Sequence, residues 1–119
     1  MTDAASTHPA TADLTALADE LLAAARAATN GRASRTLVGG SHQVLRHTLL
    51  VLVAGQQLPE HASPGEATLQ VLRGSVVVRA GDDELPGGAG TLLTLPDRPH
   101  SVAAVEDAVL LLSVAKPEH

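Results

Sequence analysis

Phe, Trp and Tyr are absent from all 119 residues. No base can stack on an aromatic platform here. No aromatic cage can hold a quaternary amine, and no tyrosine can serve as an acid or base. Cysteine is absent too, which removes disulfides, thiolate nucleophiles and Cys-based zinc or iron–sulfur sites. Positive charge is scarce: eight Lys and Arg against 13 Asp and Glu leave a formal net charge of −5. The basic residues are scattered, so nucleic acid is not an expected partner, nor is an anionic membrane surface. No apolar run reaches the length of a membrane span. Met1 to Ala12 is polar, carries Asp3 and lacks an apolar h-region. No signal peptide is therefore expected, and a cytoplasmic location is the default.

What the chain does have is aliphatic material, with hydrophobic residues at 45%. Its length suits one domain with one core. Residues 1–10 read as a loose tail. Thr11 to Thr29 reads as a helix within a segment spanning 11–31, with Leu14, Leu17 and Leu21 on one stripe and Asn30-Gly31 as the stop. That stripe needs a surface to pack on, either the rest of the chain or a partner. From Arg35 the period becomes strand-like. Arg35–Val38, His42–Ala54, Ala67–Arg73, Ser75–Ala80, Thr91–Leu95, Ser101–Ala104 and Ala108–Ala115 are strand candidates separated by turn signals. Many short strands without alternating helices indicate an all-β sandwich or barrel.

Two segments carry chemistry. They are Gly55 to Gly74, GQQLPEHASPGEATLQVLRG, and Gly90 to His100, GTLLTLPDRPH. Together they resemble the two motifs of the cupin family. In the first, five residues separate Gly55 from His61 and six separate Ala67 from Gly74. In the second, Gly90, Pro96 and His100 fit, with a Pro-to-His loop one residue short. The resemblance covers residues 35–116 and implies an all-β, cupin-type jelly-roll barrel with one N-terminal helix. It also implies a site of three His and one carboxylate or amide. Only His61 and His100 hold their places; Ser63 stands at the second-His position and Ala67 at the carboxylate position. Serine and alanine are poor substitutes, because divalent metals want imidazole or carboxylate.

Neighbours could complete such a site. Glu66, at the strand entry after Pro64-Gly65, could swing inward as a ligand or as a catalytic acid or base. His47 could add a third imidazole if it faces inward, but apolar residues on both faces of its strand leave that face open. Gln70 falls on the outward face by alternation from Ala67. Arg35, Arg46 and Arg98 could each grip an anion, with Arg98 best placed on the loop before His100. Two functions follow. One is a non-catalytic or regulatory cupin binding a small non-aromatic ligand through His61, His100, Ser63, His47 and Arg98. The other is an oxygenase- or isomerase-type enzyme holding Fe, Mn or Zn through His61, His100 and recruited ligands. A homodimer is expected, since open sheets leave edges that must be covered.

Overall fold

The computed structural model describes residues 10–62 and 65–116. One helix, α1 (Leu14–Ala27), precedes nine strands: β1 (Arg32–Val38), β2 (Leu45–Leu52), β3 (Gln57–His61), β4 (Glu66–Arg73), β5 (Ser75–Ala80), β6 (Asp83–Gly88), β7 (Leu92–Thr94), β8 (His100–Ala104) and β9 (Ala108–Ala115). Asp13 starts the helix by accepting from the Ala16 N–H at 3.1 Å, satisfying one of the first-turn donors that have no partner inside the helix.

The strands form two antiparallel sheets, ordered β1-β2-β9-β4-β7 and β3-β8-β5-β6. Alternation sorts their side chains. Leu52, Leu69, Val71 and Leu110 of the first sheet meet Val76, Val78, Val102 and Ala104 of the second in one core. Leu49, Val51 and Val109 point the other way and pack under Ala18, Leu21 and Ala25 of α1. The five-stranded sheet is thus apolar on both faces because the helix covers one of them. Without aromatic rings, these cores are filled by Leu, Val and Ala. Each fully buried Leu or Val side chain contributes about 1.5–3 kcal/mol.

Two strands, β3 and β6, have no counterpart in the sequence reading. Both are edges of the four-stranded sheet. Their sequences, QLPEH and DELPGG, each contain a proline, and β6 adds two glycines. An edge strand tolerates proline because one side of its backbone needs no ladder partner. Exposed along most of their length, they leave no alternating apolar signature. The chain also enters β1 three residues before Arg35, directly after the Asn30-Gly31 turn.

Candidate functional site

Strand directions gather one end of the barrel. β3 ends at His61 and β4 begins at Glu66. β7 ends at Thr94 and the chain returns through Pro96 to begin β8 at His100. His61 and His100 lie directly opposite one another in the β3–β8 ladder. Their ring centroids are 5.2 Å apart with the planes tilted by 50°. His100 faces inward with Val102 and Ala104 and is 1% exposed, while His61 is exposed at the rim.

The two imidazoles are held alike. His100 Nδ1 lies 2.9 Å from the carbonyl of Arg98, and His61 Nδ1 lies 3.0 Å from the carbonyl of Pro59. A carbonyl oxygen only accepts, so each Nδ1 carries the proton and donates. In the neutral form of such a ring the lone pair is then on Nε2. His100 Nε2 is buried and has no hydrogen-bond partner. A backbone carbonyl fixing one ring nitrogen while the other stays open is how imidazoles are oriented toward a ligand or metal.

Ala67 is buried and faces inward on the opposite sheet, in line with Leu69 and Val71. Ser63 lies outside the described residues, as do His8 and His119. The remaining sequence candidates do not join the pair. Glu66 already sits in the β4 ladder opposite Ala115, so alternation puts it on the outer face with Thr68 and away from Ala67. In this register its side chain is turned away from the imidazole pair, contrary to the inward placement expected from the sequence. His47 shares the outer face with Leu49 and Val51, and its Nδ1 lies 2.8 Å from Ser113 Oγ. The helix explains why apolar residues on both faces hid this orientation. Arg98 forms an ion pair with Asp83 beside the β5–β6 turn, so its charge is already matched outside the barrel. Arg35 pairs with Glu20 of α1.

One inward residue carries more than the sequence reading gave it. Arg46 lies on β2 in the alternation of Leu50 and Leu52, opposite Val114, which in turn lies opposite Ala67. It therefore faces the second sheet at the His61 end, with Thr48 one step further in. The sequence carried no signal for this: α1 takes the Leu49 and Val51 face and the second sheet takes Leu50 and Leu52, so both faces of β2 are apolar.

Among the described residues no group of three His, Asp or Glu converges to hold a metal. Two neutral imidazoles without an anionic donor are a poor match for iron, manganese or zinc. The donor set does not fit the family's metal centre. A depression of about 950 Å³ lies beside this end, bordered by Ala67, Leu95, Pro96 and Val114 and by outer residues such as Thr68 and Ser113. Neither imidazole borders it.

No family model and no curated protein matches the chain. Solved structures do. A conserved protein of unknown function from Streptococcus pyogenes is similar at 30% identity and a TM-score of 0.71, over 96% of this chain and 93% of that one. An HTH_3 family transcriptional regulator from Vibrio cholerae is similar at 26% identity and a TM-score of 0.63, over 73% of this chain and 52% of the regulator. An RmlC-like cupin from Desulfovibrio desulfuricans is similar over 99% of both chains, at 24% identity and a TM-score of 0.64. With two antiparallel sheets, one leading helix and His61 and His100 brought together at one end, the chain has the fold of a small cupin domain.

Proposed function

We propose that this cupin binds a small molecule at the His61 end of its barrel and performs no metal-dependent chemistry. The observation that carries the proposal is the buried, unpartnered Nε2 of His100, repeated in form by His61. A buried polar atom without a partner costs stability, on the order of 1–3 kcal/mol. Its retention at the mouth of a barrel fits a group kept for a ligand. Neutral Nε2 atoms accept hydrogen bonds, so the ligand brings O–H or N–H donors. Glu66, the carboxylate singled out in the sequence, is turned outward. A regulatory role draws support from the Vibrio cholerae transcriptional regulator, about half of whose length this chain covers.

A metal-dependent enzyme is the competing reading, favoured by the same two open Nε2 atoms. Elemental analysis of untagged protein, grown with added iron, manganese and zinc, separates the two. The expected result is far less than one metal per chain. One tightly held metal per chain would overturn the proposal and return the site to the enzyme class.

A further inference from the structure

The second buried polar atom without a partner is Arg46 Nε. Among the described residues, it and His100 Nε2 are the two such side-chain atoms. Arg46 is also the exception among the chain's arginines. Arg26, Arg35, Arg73, Arg79 and Arg98 each sit in an ion pair with a carboxylate. Arg32 donates to the Gln57 carbonyl at 3.3 Å. Arg46 has no carboxylate partner among the described residues.

Its placement is built by the backbone. Arg46 faces the barrel interior, and its stem lies across Gly39, where an added Cβ would come within 3.1 Å of Arg46 Cγ. Gly39 has φ +138°, a conformation that L side chains rarely adopt. The glycine therefore leaves room for the arginine to lie flat. Ladder register carries the same inward row from Arg46 through Val114 to Ala67. Ala67 leaves open the position where the family places a carboxylate. A guanidinium taken partly out of water without a counter-charge is unfavourable unless an anion arrives to pair with it.

We infer that the ligand is a small carboxylate bearing an adjacent hydroxyl. The Arg46 guanidinium takes the carboxylate as a two-pronged fork. The hydroxyl donates to Nε2 of His100 or His61. Phosphate fits less well. Its charge near neutral pH calls for more than one cation, and Arg46 supplies one. This inference rests on the small-molecule reading above and adds the charge and functional groups of the ligand.

The test is a titration of the 15N-labelled full chain with glycolate, with ethylene glycol as the neutral match and inorganic phosphate as the rival anion. Glycolate is expected to shift the amides of Arg46, His61 and His100, binding at least about tenfold more tightly than ethylene glycol. Arg46→Gln is expected to lower glycolate affinity to the level of ethylene glycol. Unchanged glycolate affinity in Arg46→Gln, with shifts persisting at His100, would overturn the role of Arg46 while leaving the histidine site standing. Phosphate binding as tightly as glycolate would overturn the carboxylate assignment. No shift at either histidine with any probe would overturn both readings. Ligand-free Arg46→Met gives a readout independent of binding. If Arg46 is an unpaired charge kept for a ligand, Arg46→Met melts at or above the parent temperature. A clearly lower melting temperature would make Arg46 a packing residue and defeat the inference.

Discussion

The two ends of this barrel are built to opposite specifications. At the end formed by the β2–β3, β4–β5 and β8–β9 connections, polar groups meet partners. Arg26 of α1 pairs with Asp107 at 2.9 Å, and the other oxygen of Asp107 accepts from the Ala54 N–H at 2.8 Å. Ser75 donates to Glu106, and Arg73 pairs with Asp19. At the far end, His100 Nε2 and Arg46 Nε are buried and bonded to nothing among the described residues. One end spends its polar groups on holding the fold, whereas the other keeps inward-facing groups unsatisfied. This contrast between satisfied and open polar groups is the ground on which the proposed ligand site rests.

The largest expected effect lies at the satisfied end. Gly74 has φ +76°, and a Cβ there would run into the Asp107 carbonyl. Gly74→Ala is expected to cost about 3 kcal/mol by chemical denaturation, since both the backbone conformation and the close approach are lost. Glycolate affinity of the folded fraction should stay at the parent value. A mild loss in stability would show that this end is less tightly fixed than its contacts imply.

Next comes a coupling experiment at the open end. Ala67 and Arg46 are separated by one strand, roughly 10 Å across two ladder spacings. A glutamate at 67 would give the guanidinium an internal counter-ion. In a double-mutant cycle, Ala67→Glu should therefore be less costly with Arg46 present than with Arg46→Met, by about 1–2 kcal/mol. Ala67→Glu should also weaken glycolate binding by occupying the guanidinium and strengthen zinc binding by adding a carboxylate to two imidazoles. An additive cycle would place the Arg46 charge away from the Ala67 row.

A smaller effect sharpens the contrast from the satisfied end. The Ala54 N–H, and after it the Arg26 guanidinium, hold the Asp107 carboxyl below its ordinary value of 3.8. A carboxyl lowered on folding stabilises the native state above its unfolded value, and that contribution is lost as pH falls through the native value. Asp107→Asn should therefore lower the melting temperature modestly at neutral pH. The gap to the parent should close as the pH falls below about 4. A gap that is constant with pH would show that the charge of Asp107 contributes nothing.

Much of this contrast was legible in the residues. The stripe Leu14, Leu17, Leu21 identified the helix, and central strands such as Ala67–Arg73 and Ser75–Ala80 alternate cleanly because each has one face in the core. The edge strands β3 and β6 were silent, since proline, glycine and exposure erase alternation. His61 and His100 could be paired in advance through motif spacing. The faces of Arg46 and His47 could not, because α1 makes both faces of β2 apolar and removes the contrast on which alternation depends. Arg98 attracted attention by its closeness to His100 in sequence, yet its side chain runs to Asp83. Position along the chain predicts where a residue starts and not where a long side chain ends.

The account depends most directly on the protonation of the two imidazoles. Long-range 1H–15N spectra of histidine-labelled protein near neutral pH read it ring by ring. The expected result is the tautomer with the proton on Nδ1 for both His61 and His100, leaving Nε2 bare. Only these two rings should change on adding glycolate, while His47, on the outer face, stays constant. A proton on Nε2 of His100, or a response confined to His47, would contradict the claim that the open end of the barrel holds the ligand.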